Sequence, residues 1–144
     1  MQINHIDPRV FEDAYVIPMI DLYCGPGGIS HGSVRKQGKF TFITALAVDE
    51  DYQCCRTHRL SHPEIPCVQQ RLSTWNQTLK LIEDYLPRKY WGKAWVHASN
   101  SCTKASTQNG TNRNLDKAEE DTRWTINLLK RIQPAVWTLE NVPP

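Results

Sequence analysis

A glycine turn, two carboxylates and a thiol are the residues of this sequence whose types and spacing suit chemistry. The run Met19-Ile20-Asp21-Leu22-Tyr23-Cys24-Gly25-Pro26-Gly27-Gly28 closes on three glycines. Glycine lets a backbone turn tightly and come close to a ligand. A helix opening after such a turn aims unpaired N–H groups and its positive dipole end at that ligand. Asp49 stands 21 residues beyond Gly28, near the ~20-residue offset at which nucleotide-binding folds place a carboxylate for ribose hydroxyls. Cys102 and Glu140 follow the two last apolar runs of the chain. An ionised thiol is a covalent nucleophile, and a carboxyl group within reach of a base is a general acid.

Hydrophobic patterning indicates the elements that would hold these groups. Val16 to Leu22 is almost wholly apolar, as expected of a central parallel strand covered on both faces. A helix is predicted over Gly28 to Gln37, ending at Gly38, and a second parallel strand over Thr41 to Asp49. Glu50 to Leu60 reads as a helix stopped by His62-Pro63, and Ile65 to Val68 as a short third strand. Thr74 and Gln77 form a capping box for a helix that buries Trp75, Leu79, Ile82 and Leu86. Ala94 to Ser99 is the fourth strand. Asp116 and Glu119 form a second capping box, with Ala118, Thr122, Thr125, Leu129 and Ile132 on one helical face, and Ala135 to Leu139 is the fifth strand. This alternation predicts a Rossmann-like, doubly wound, mostly parallel α/β sheet of order 3-2-1-4-5. Its strands would gather the glycine turn, Cys102 and Glu140 along one rim.

The 144 residues fit a single domain, large enough to bury roughly 68–70% of the surface that the unfolded chain exposes. A formal net charge of +2 neither demands nor forbids an anionic partner. Five cysteines among predicted strands and helices read as free thiols in a reducing compartment. No apolar stretch is long enough for a membrane span and residues 1–9 lack a signal-like apolar region, so a soluble intracellular protein is expected. Cys54, Cys55, His58 and His62 share a helical face. They are not read as a metal site, because structural zinc sites usually bring paired ligands from loops. No metal is expected.

Four of these stretches together resemble the cytosine-5 methyltransferases, which transfer a methyl group from S-adenosylmethionine to C5 of cytosine, usually in DNA. Asp21-Leu22-Tyr23-Cys24-Gly25-Pro26-Gly27-Gly28 resembles the first motif of that family, and Val48-Asp49 followed by a helix ending at Ser61-His62-Pro63 is similar to the second. Ser99 to Ser106 resembles the catalytic loop, and Leu139-Glu140-Asn141-Val142 the Glu-Asn-Val motif. The resemblance implies a class I methyltransferase-like fold. It also implies an S-adenosylmethionine site at Asp21, Tyr23, Gly25, Gly27, Gly28, Asp49 and Glu50. Cys102 and Glu140 would be catalytic, with Ser99, Asn100, Ser101, Asn141 and Val142 against a DNA cytosine.

The sequence also departs from the family. Asn100-Ser101 stands where a proline pair precedes the cysteine, and Gln70-Arg71 where an aspartate reaches the adenine amine. No counterpart of the target-recognition domain follows Glu140, so residues 1–144 read as one cofactor-binding and catalytic subdomain, incomplete at its C-terminus. Two functions are therefore expected in competition: a truncated or split-enzyme half that methylates cytosine when completed by a second segment or subunit, and an inactive relative serving as a binding or structural component. A nicotinamide enzyme is a third class, opposed by Ser30, where its glycine pattern requires Gly or Ala.

Overall fold

The computed structural model describes residues 5–33, 38–100 and 115–140. Five strands and four helices alternate: β1 (Val16–Leu22), α1 (Gly28–Ser33), β2 (Thr41–Asp49), α2 (Tyr52–Ser61), β3 (Cys67–Gln69), α3 (Trp75–Tyr85), β4 (Trp95–Ser99), α4 (Leu115–Ile132) and β5 (Val136–Glu140). All strand pairs are parallel, and the order across the sheet is β3-β2-β1-β4-β5, as the sequence predicts.

β1 lies at the centre because its side chains are apolar on both faces, and six of its seven residues are buried. It nevertheless contains Pro18, which cannot donate to a ladder. Pro18 precedes the stretch Met19–Leu22 that pairs with β4, and a register shift toward β2 follows at Met19/Ile20. Strands tolerate proline at such irregular places. The core joins Ile20 and Leu22 to Leu46, Ile82, Val96 and Leu128. Each such side chain contributes about 1.5–3 kcal/mol by leaving water.

Element boundaries move for local reasons. α2 starts at Tyr52 rather than Glu50, because Asp51 takes the N-cap and accepts from the Cys54 N–H. β3 starts beyond Pro66, whose carbonyl still accepts from the Ala47 N–H at 2.8 Å. Thr74 caps α3 through the Gln77 N–H, while Ile82 and Leu86 are buried and Trp75 and Leu79 only partly so. α4 begins at Leu115, which puts Asp116 inside its first turn, and it buries Thr125, Leu128, Leu129 and Ile132. The predicted first helix is described as far as Ser33; residues 34–37 lie outside the described residues.

Two short 3-10 helices were not legible in the sequence. Pro8–Glu12 buries Phe11 beneath the sheet, and Arg88–Lys93 buries Tyr90 and Trp91, whose indole N–H donates to the Leu86 carbonyl at 2.8 Å. The β5 edge is less covered than the core, with Val136 and Trp137 half exposed. Beside it, Ile17, Phe42, Trp95 and Val136 line an apolar hollow of about 670 Å³. No helix among the described residues is long and apolar enough to cross a membrane.

Candidate cofactor and active site

The glycine turn leaves β1 through Tyr23, which holds a left-handed φ of 60°. That conformation is uncommon for a bulky residue and persists where surrounding contacts impose it. The Tyr23 ring is half-buried, and its hydroxyl lies 3.5 Å from Thr125 Oγ1 on α4. Burial raises the Tyr23 pKa, so the hydroxyl stays protonated. Thr125 in turn donates to Asn100 Oδ1 at 3.1 Å or to the Asp121 carbonyl at 3.0 Å. One hydroxyl thus links the turn, α4 and the end of β4.

Gly25 and Gly27 have φ values of 52° and 104°. A Cβ added at Gly25 or Gly28 would meet nothing within 4 Å, so the outer side of the turn is open. At Gly27 it would lie 2.9 Å from both His58 and His62. The lack of a side chain there makes room for histidines beneath the turn, not for a ligand above it.

Asp49 ends β2 and reaches back to the turn. Its Oδ2 accepts from the Gly25 N–H at 2.9 Å, and its Oδ1 from the Asp51 N–H at 2.9 Å. Each carboxylate oxygen keeps a second lone-pair site, enough for a pair of ribose hydroxyls. Glu50 is exposed beside it and forms an ion pair with Arg71 at 3.6 Å, which puts Arg71 at the same rim. Open space over Gly25 and Gly28, a half-buried aromatic and a carboxylate with spare acceptor capacity fit an adenosine-bearing cofactor.

The far end of the rim is formed by β4 and β5. Ser99 is the register partner of Glu140, so these two sequence-predicted residues stand side by side. Glu140 is exposed, and its Oε2 lies 4.0 Å from Nε2 of His97. Burial lowers the His97 pKa, while its Nδ1 pairs with Thr138 Oγ1 at 2.8 Å. Asn100 is buried, and its Nδ2 has no partner among the described residues. Ser101, Cys102, Asn141 and Val142 lie outside the described residues.

Asp21, which the resemblance places among the cofactor-binding residues, is buried beneath the turn. Its Oδ2 accepts from the Ser30 hydroxyl at 3.0 Å, and burial pushes its pKa up to about 7. Sequence reasoning missed His97 and Thr125, because both resemble ordinary core positions until the strands are laid side by side. The helix-face grouping of Cys54, Cys55, His58 and His62 also breaks up. Cys54 is half exposed and Cys55 turns to the Asp49 carbonyl, whereas His58 meets Cys24 and Cys67 from two other elements.

A parallel sheet of this order, with a glycine turn and an acidic strand end on one rim, is the Rossmann-like fold of the S-adenosylmethionine-dependent methyltransferases. No protein-family model matches the chain. The chain is similar to a rice (Oryza sativa subsp. japonica) DNA (cytosine-5)-methyltransferase, CMT2, with 30% identity over 101 residues, which is 68% of this chain and 7% of that protein. Among solved structures it is similar to a protein described as a DNA modification methyltransferase encoded within an E. coli prophage. The TM-score is 0.64 and the identity 23%, over 88% of this chain and 32% of that one. A mutant of Spodoptera frugiperda DNMT2 aligns with a TM-score of 0.54 and 18% identity, over 88% of this chain and 35% of that one. The chain therefore resembles the cytosine-5 DNA methyltransferases, while spanning about a third of the solved structures and a small fraction of the curated relative.

Proposed function

We propose that this chain is the cofactor-binding and nucleophile-bearing part of a cytosine-C5 DNA methyltransferase, completed by further chain in cis or in trans. The supporting observation is the single rim on which the Gly25–Asp49 contact and the Ser99–Glu140 pair both stand. Tyr23, Gly25, Gly28, Asp49 and Glu50 would hold S-adenosylmethionine, which supplies the methyl group. Cys102 would add to C6 of cytosine across the C5–C6 double bond, turning C5 from a poor nucleophile into a carbanion-like centre that takes the methyl group; loss of the C5 proton with expulsion of the thiolate from C6 would then restore the ring. A free thiol is only a few per cent ionised at neutral pH, so this step needs a setting that favours the thiolate. Glu140 would donate to the base at N3 as charge develops on the ring and so act as general acid. A base in duplex DNA must first leave the stack, which costs a few kcal/mol. The apolar hollow by Trp95 and Val136 supports a completing segment on that side of the sheet.

The test is calorimetric titration with S-adenosylhomocysteine, followed by transfer of labelled methyl groups to duplex DNA in the presence of the completing half. Saturable binding, transfer abolished by Cys102→Ala and a covalent adduct with 5-fluorocytosine DNA are expected. Binding without transfer under every completion favours the second reading, an inactive relative acting as a binding component. The Glu50–Arg71 ion pair favours that reading, because it sets a cation where the family carries an adenine-binding acid. No binding at millimolar ligand removes the first reading and leaves the second.

A further inference from the structure

Beneath the glycine turn, three elements bring soft donor atoms to one buried point. Cys24 comes from the turn that follows β1, His58 from the middle of α2 and Cys67 from the start of β3. One ligand atom from each lies within 4.8 Å of the other two, and all three residues are buried. Two thiols and an imidazole are the donor set preferred by thiophilic cations.

The hydrogen bonds around His58 favour this use. When Asp21 is ionised, the Ser30 hydroxyl donates to Asp21 Oδ2 at 3.0 Å, which leaves its oxygen to accept from His58 Nε2–H at 2.9 Å. In the Nε2–H tautomer of this arrangement the lone pair lies on Nδ1. His58 Nδ1 is fully buried and has no hydrogen-bond partner among the described residues. A buried acceptor left unpaired is destabilising, and bonding to a cation would remove that cost. Histidines that bind metals commonly donate their other ring N–H to an oriented oxygen, as His58 does to Ser30.

We propose that Cys24, His58 and Cys67 form a binding site for one thiophilic d¹⁰ cation, Zn²⁺ or Cu⁺, directly under the turn that carries Gly25 and Gly27. A cation about 2.3 Å from sulfur and ~2.0–2.1 Å from nitrogen needs its ligand atoms roughly 3.5–4 Å apart. From separations of at most 4.8 Å, the cluster therefore has to draw in by no more than about 1.3 Å. Cys24 directly precedes Gly25, and a Cβ on Gly27 would strike His58, so a bound ion would brace the turn from below. The site stands on the chain's own geometry and does not depend on the methyltransferase reading.

The experiment uses the full chain, stripped with a chelator under reducing conditions and titrated separately with Zn²⁺, Co²⁺ and, without oxygen, Cu⁺. One equivalent should bind, raise the melting temperature by mass action and, with Co²⁺, give thiolate-to-metal charge-transfer absorption. Cys24→Ser and Cys67→Ser should abolish that absorption, and Cys54→Ser should leave it intact. Ser30→Ala should weaken binding by ~10–100-fold through loss of the histidine's orienting partner. X-ray absorption on the wild-type chain should show two sulfurs and one nitrogen at the metal, which decides the matter even if a variant fails to fold. Competition between Zn²⁺- and Cu⁺-selective chelators tells which ion is preferred. Failure of both ions to bind, a shell of nitrogen and oxygen only, or absorption that survives Cys24→Ser and Cys67→Ser overturns the proposal.

Discussion

The Gly25 N–H donates to Asp49 Oδ2 across 2.9 Å, joining the glycine turn after β1 to the carboxylate that ends β2. Asp49 therefore shapes the turn as well as facing the space above it. A hydrogen bond to a charged group contributes about 1.5–3 kcal/mol. Asp49→Ala is expected to weaken S-adenosylhomocysteine binding by at least ~10-fold, and Asp49→Asn by less, since an amide oxygen still accepts. Calorimetry on the two variants checks the order; equal affinity in Asp49→Ala and wild type would remove Asp49 from the site.

The glycines of the turn should separate by function. Gly27→Ala places a Cβ against His58 and His62 at a φ of 104°, a combination of crowding and strain that costs about 1–3 kcal/mol. Gly28→Ala meets nothing within 4 Å and should leave stability nearly unchanged. Urea unfolding of both variants tests this contrast, and a stable Gly27→Ala protein would mean that the histidines move aside freely.

Asp21 should make stability depend on pH. Its folded-state pKa of about 7 stands above the ordinary 3.8 because the carboxyl is buried. Between those values the native state keeps a proton that the unfolded chain has lost, so stability is full at the acid end and declines as pH rises toward about 7. The loss across that window is on the order of a few kcal/mol, and Asp21→Asn should abolish it. Unfolding curves from pH 4 to 8 with a chelator present measure the slope. Parallel slopes for wild type and variant would show that Asp21 does not titrate there.

Thr125 joins Tyr23 to Asn100, and its removal should be felt at both ends. Thr125→Val keeps the shape but strips the hydroxyl from buried Asn100, whose Nδ2 has no partner among the described residues. A cost of about 1–3 kcal/mol is expected, with weaker cofactor binding as the Tyr23 ring loses its anchor. Thermal melts and calorimetry read the two effects; a neutral variant would show that the hydroxyl link carries no load.

Sheet order and the limits of β1 and β2 were legible because both are largely apolar runs with an acid at or next to the last residue, as a covered parallel strand requires. The rim was legible for the same reason, since Asp49 and Glu140 mark strand ends. Residues that act through partners distant in sequence were not. Nothing local to Asp21 says that it turns down to Ser30 instead of up to a cofactor. Nothing within α2 says that His58 belongs with Cys24 and Cys67, because sequence spacing along one helix reveals neighbours on that helix alone. The 3-10 helix Arg88–Lys93 was hidden too, as its six residues show no helical period long enough to detect.

The parallel ladders also govern how this chain reaches its structure. Val16 pairs with Thr41, but Met19 must wait for Trp95, and Trp95 for Val136. No hairpin can form early and template the rest, so loop-closure entropy is spent before the central contacts repay it. The two outer ladder faces of β1 are therefore completed at widely separated times as the chain emerges. Until β4 arrives, Met19 and Ile20 present an apolar edge to other chains. Folding slower than that of a helical domain of equal length follows, with aggregation rising steeply when β4 is delayed or lost.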